Sequence, residues 1–243
     1  MGIIKPMISG KSYSIWILML NYCLYSMENK LKSDYDPGFR VSIINSCWIA
    51  LESFLRECLF ETVMRDYDRI SLPNKFKLKQ NYFQYLKNYF IEKEKIELIN
   101  FKMKLQKKQE FADHVKSLSW YDLLKVCDQI NFPIEKKIKS WEFTQNLYRL
   151  RNGLTHGQEI KIGKSNTNDI DDYLSKEYIK SLRYLNNKKI IDLNKLFENQ
   201  DINNLLNQVT TNFIINETCK SLDDVSAIFN NTYTAAQYRT MRN

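Results

Sequence analysis

The chain has 243 residues, a net charge of +8 and 44% hydrophobic residues, enough for one real core and for one domain or one domain with a large appendage. Six Gly and four Pro are few for this length, and none follows Gly163, so long stretches lack breakers and a mostly helical chain is predicted. The five cysteines form no Cys-x-x-Cys pair and His114 and His156 are far apart, which excludes zinc spacing and makes the cysteines small buried hydrophobes in a reducing cytoplasm.

The first element is the apolar run from Ser12 to Met27, with Ile15, Trp16, Ile17, Leu18, Met19 and Leu20. A membrane span needs about 20 apolar residues. This run is shorter and Asn21 and Ser26 interrupt it, so it is expected as a buried first helix. No small-residue cleavage site follows, which argues against a signal peptide. Asp36-Pro37-Gly38 reads as a turn. Phe39 to Tyr67 carries the clearest helical stripe: Ile44, Cys47, Trp48, Leu51, Phe54, Leu55, Cys58 and Leu59. Glu52, Arg56 and Glu57 lie off that stripe and are expected at the surface, with Glu52 able to orient a basic group on a neighbouring helix.

Pro73 breaks the pattern. From Leu72 to Lys108 ten Lys and three Glu leave +7, interleaved with Phe76, Tyr82, Phe83 and Tyr89. Such a stretch suits RNA, DNA or a membrane surface, and its aromatics can stack on unpaired bases. The competing expectation is a solvated lysine face with the aromatics turned to the core. Lysine lacks the planar fork that reads bases, so Lys75, Lys77 and Lys79 would hold phosphates without reading sequence. Residues 102–118 read as a connector, and His114 within it as a surface residue.

Ser119-Trp120-Tyr121-Asp122 is a capping box that opens a short helix. After Pro133 a second helix is expected, with Ile134, Ile138, Trp141, Leu147 and Leu150 as its stripe and Gly157 as its stop. Residues 158–172 read as a polar loop with one short strand at 159–162. Tyr178–Leu185, Ile190–Phe197 and Asp201–Phe229 are helical candidates, and Asn230–Asn243 is expected to be a frayed polar tail.

The densest chemistry sits at the end of the second helix, in Arg151-Asn152-Gly153-Leu154-Thr155-His156-Gly157. Asn152 and His156 are four apart and share a face. Arg151 is five before His156, about 140° round and about 7.5 Å along an ideal helix. Gly153 would let another helix or a nucleic-acid backbone approach closely. A cation, an amide and an imidazole at one helix end can grip a phosphate and move a proton on it.

This stretch resembles the HEPN family, whose signature is an Arg, commonly followed by Asn, and then a His at the end of a late helix. Cys47 to Leu55, with Ala50-Leu51-Glu52-Ser53-Phe54, is similar to the early HEPN helix. The resemblance implies an all-α, HEPN-like helical bundle with additional C-terminal helices. It makes 1–243 a single HEPN-like domain, with a core of about 12–157 and a helical extension of about 173–230. It also implies a metal-independent endoribonuclease whose site forms where two motif helices meet across a homodimer. In it Arg151, His156 and Asn152 are catalytic; beside them Lys75, Lys77, Lys79 and Arg149 are expected to bind RNA, and Glu52 to support the motif from its neighbouring helix. The family's chemistry needs no metal and no cofactor. The alternative is a non-catalytic HEPN-like module for RNA or nucleotide binding and dimerisation. Family toxins paired with a nucleotidyltransferase antitoxin often carry Tyr two residues after the His; here that residue is Gln158. A cytoplasmic defence ribonuclease, alone or gated by an antitoxin or other defence-system partner and not bound to a membrane, is the nearer analogy.

Overall fold

The computed structural model describes residues 14–28, 37–66, 118–129, 138–155, 176–198 and 202–242. The helices are α1 (Ile15–Glu28), α2 (Pro37–Asp66), α3 (Trp120–Gln129), α4 (Trp141–Thr155), α5 (Lys176–Asn187), α6 (Leu193–Glu198), α7 (Gln208–Ile228) and α8 (Tyr233–Arg242). A single 3₁₀ turn, Ile202–Asn204, precedes α7. The fold is all-α, and no strand occurs among the described residues. The basic stretch with Lys75, Lys77 and Lys79, His114, the 159–162 strand, Gln158 and His156 lie outside the described residues.

α2 is the helix the others pack on: α1, α3, α4, α7 and α8 all lie against it. Its whole expected stripe is buried, and Ile43 and Ala50 widen it. The helix starts at Pro37, so the expected turn is its first turn. Proline there loses no hydrogen bond, because the first N–H groups of a helix have no partner within it.

α1 buries one face, with Trp16, Ile17, Leu20, Cys23 and Leu24. It is not enclosed as expected: Ile15 is 55% and Tyr25 50% exposed. None of the described helices is long and apolar enough to cross a membrane. Glu57 is not a plain surface charge either. Its carboxylate accepts from the Ser14 hydroxyl and the Trp16 indole N–H, both at 3.0 Å. The second bond satisfies the N–H of a fully buried indole.

The buried residues of the C-terminal helices belong to the same core. Tyr238 on α8 packs edge-on against Trp16 (6.0 Å) and Phe54 (5.3 Å), joining the last helix to the first two. Its hydroxyl donates to Asp223 at 2.8 Å, and burial pushes the phenol well above its ordinary range. The expected frayed tail is therefore an ordered helix. The groups that start it come from the turn before it and from α2. Thr232 Oγ1 accepts from the Ala235 N–H at 3.2 Å, and the Glu61 carboxylate accepts from the N–H groups of Tyr233 and Thr234. Arg239 in turn donates to the Ser226 carbonyl near the end of α7. Replacing Glu61 with Ala leaves first-turn N–H groups without their acceptor and is expected to cost about 1 kcal/mol, the usual value of an N-terminal cap. Thermal unfolding of wild type and Glu61→Ala measures it; an unchanged midpoint would show that Glu61 does not hold α8.

All five cysteines are buried thiols with no disulfide. Burial pushes Cys58 up to about 12 and Cys219 up to about 11. Neither thiol is ionised near neutral pH, so both act as small apolar side chains in the core.

Candidate functional site

Three neighbours fix α4, the helix that carries the Arg-Asn pair. It begins at Trp141, later than the apolar pattern suggests, because Ser140 is its cap. The Ser140 carbonyl accepts from the Thr144 N–H at 3.0 Å. The Ser140 N–H and hydroxyl both donate to Asp224 of α7, at 3.0 and 2.8 Å. Phe143 adds an edge-on contact to Phe213 of α7 at 6.2 Å.

α5 lies against a second face. A Cβ added at Gly153 would sit 2.1 Å from Cδ2 of Tyr178, a residue only 1% exposed. Of the two partners the sequence allowed Gly153, the structure places another helix there. Four residues earlier on the same face, Arg149 Nε donates to Glu177 at 2.6 Å and its Nη1 to Asn146 at 3.4 Å. Lys180, then Arg149, hold the Glu177 carboxyl below the usual carboxylate range. Arg149, expected to bind RNA, is thus a tie between α4 and α5.

α2 covers the third face. Tyr148 packs on Trp48 at 5.1 Å, and Trp120 of α3 lies beside both. Nearer the C-terminal end of α4, the Thr155 hydroxyl donates to Asn45 Oδ1 at 3.2 Å. The two helices run antiparallel here, so the C-terminal end of α4 meets the N-terminal half of α2. Glu52 also lies on α2, but its carboxylate accepts from Arg56 Nε at 3.2 Å and from Nη2. Its partner among the described residues is its own helix neighbour, not the Arg-Asn pair.

At the end so fixed, Arg151 Nη1 donates to Asn152 Oδ1 at 2.9 Å. The two residues expected to act together are therefore joined directly. Arg151 Nε is buried and has no acceptor among the described residues. Arg151 also has no carboxylate partner among them, whereas Arg56, Arg149 and Arg242 pair with Glu52, Glu177 and Asp223. A guanidinium held in place by an amide, with an N–H left over, can donate to an oxyanion. Among the described residues no three His, Cys, Asp or Glu come together as metal ligands.

Asn45 was not singled out in the sequence, although an Asn in the interior of an apolar helical run competes with the helix for hydrogen bonds and needs a reason. Compared with protein-family models, curated proteins and solved structures, the chain matches none.

Proposed function

We propose that the chain is a metal-independent endoribonuclease of the HEPN type. The observation that supports this most is the Arg151–Asn152 pair, seated at the end of a helix that three neighbours hold, with a buried Nε lacking an acceptor among the described residues. The resemblance supplies His156 as the proton carrier one residue beyond that helix's last described position.

In the proposed reaction the RNA provides the nucleophile. Its 2′-oxygen bonds to the adjacent phosphorus, and the bond from phosphorus to the 5′-oxygen breaks. A histidine takes the 2′-hydroxyl proton, and a histidine returns a proton to the departing 5′-oxygen. Arg151 offsets the charge on the phosphorane, where a fixed cation acts most strongly. Asn152 keeps Arg151 oriented. One chain carries one Arg-Asn-His set, so a homodimer in which each protomer lends a His is proposed, with Lys75, Lys77 and Lys79 as phosphate contacts. A defence system whose partner protein restrains the activity fits such an enzyme, and buried, unlinked thiols fit the cytoplasm.

The nucleophile belongs to the substrate and the cation to Arg151, so cleavage is expected to continue in excess chelator. The products should end in a 2′,3′-cyclic phosphate or a 3′-phosphate. RNA cleavage lost in chelator and restored by magnesium, or 5′-phosphate ends, would contradict this mechanism. Light scattering should give a dimer under the conditions of cleavage. The second reading, a non-catalytic binding module, draws on the ties of Arg149 to Glu177 and Glu52 to Arg56, which leave fewer groups to act on RNA.

A further inference from the structure

We infer that Asn45, on α2, is a third arm of the anion grip and binds a non-bridging oxygen of the phosphodiester beside Arg151 and Asn152. The phosphodiester as the anion rests on the ribonuclease proposal; the grip itself rests on how the amides are held. Thr155 donates to Asn45 Oδ1, so the amide oxygen is engaged and the Nδ2 group is the prong turned away from Thr155. Arg151 does the same to Asn152: its Nη1 engages Oδ1 and leaves Nδ2. Both amides thus leave their NH₂ groups to donate elsewhere, and Arg151 Nε, buried and without an acceptor among the described residues, is a third donor.

The side chains that carry these donors are neighbours. Arg151 and Thr155 are four apart and Asn152 and Thr155 three apart, so all three lie along one side of α4, with neighbouring Cβ atoms about 5–6 Å apart. Asn45 sits against the C-terminal end of that side. Below it, the rings of Trp48 and Tyr148 pack together across the two helices. The side-chain N–H groups of this half-buried cluster are the donors left over once the two amide oxygens are engaged. A group carrying several oxygens and a negative charge satisfies them, and a phosphodiester carries two non-bridging oxygens.

The test is an amide NMR titration of the full chain, ¹⁵N-labelled, first with inorganic phosphate and then with a 2′-O-methylated RNA oligonucleotide. The side-chain NH₂ signals of Asn45 and Asn152 are expected to move together, with one dissociation constant for each ligand. Asn45→Ala should weaken both ligands about tenfold, as expected for one hydrogen bond to a charged group. Thr155→Val should weaken them less, because Asn45 remains but is no longer aimed. Asn45 signals that stay still while those of Asn152 move would overturn the inference, as would an Asn45→Ala protein that binds both ligands as wild type does. The wild-type shifts decide even if Asn45→Ala does not fold. If they behave as expected while unmodified RNA is left uncut, the anion grip stands and the ribonuclease proposal alone fails.

Discussion

His156→Ala is expected to slow RNA cleavage by about 10²- to 10⁴-fold, the usual worth of a positioned general acid or base. Arg151→Ala should be comparably damaging, because no other cation is joined to Asn152 in the described residues. Arg151→Lys should recover only part of the loss. The arginine has one N–H on Asn152 and a second, Nε, left for an oxyanion, and an ammonium is a point charge without that fork. Lys77→Ala and Lys79→Ala should act differently, weakening RNA binding mildly and reducing its dependence on salt. Single-turnover rates at saturating RNA separate the two kinds of effect: the first pair lowers the rate itself, the lysines only the concentration needed. An Arg151→Ala protein that cuts at the wild-type rate would make Arg151 a structural residue.

The second large effect is on stability. Gly153 sits within a helix, where glycine is worth about 1 kcal/mol less than alanine, so alanine would be favoured if space allowed. Space does not allow it, because the added methyl would lie against the Tyr178 ring, far inside van der Waals contact. That ring is buried against the core and has little room to retreat. Gly153→Ala should therefore destabilise the protein by about 1–3 kcal/mol, the usual cost of overpacking, and Gly153→Val by more. Tyr178→Leu in the same chain should return part of the loss, which a double-mutant cycle measures as coupling between the two sites. Equal stability of wild type and Gly153→Ala would mean that α4 and α5 do not approach as closely as described.

Local features were legible in the sequence. The α2 stripe could be read because its period is carried by the chain itself, and every residue named in it is buried. The capping box at Ser119 could be read for the same reason: all of it lies within four residues, and the Asp122 N–H does donate to Ser119 Oγ at 3.3 Å. Gly153 could be flagged as a point of close approach, but the approaching ring comes from Tyr178 on another helix.

What depended on distant partners was lost. α8 looked like a tail because its amphipathic face is short; Trp16, Phe54 and Glu61, which hold it, come from the other end of the chain. The start of α4 depends on Asp224. The pairing of Arg149 with Glu177 on another helix could not be read either. The end of α5 has no glycine to announce it: Lys189 takes the left-handed conformation, with φ 59°, and the Ile190 N–H closes onto the Leu185 carbonyl at 3.0 Å. The Arg151–Asn152 pair was visible as a motif, but its bond and the Asn45–Thr155 contact beside it were not.

Whether RNA supplies its own nucleophile is tested most directly with one labelled RNA and its fully 2′-O-methylated twin. Both are offered to wild type and to His156→Ala, at temperatures chosen so that the two proteins are equally folded. Wild type is expected to cut the unmodified RNA and leave the methylated one intact, and His156→Ala to cut neither at a comparable rate. Equal cutting of the methylated RNA, or equal cutting by His156→Ala, would contradict the proposed ribonuclease.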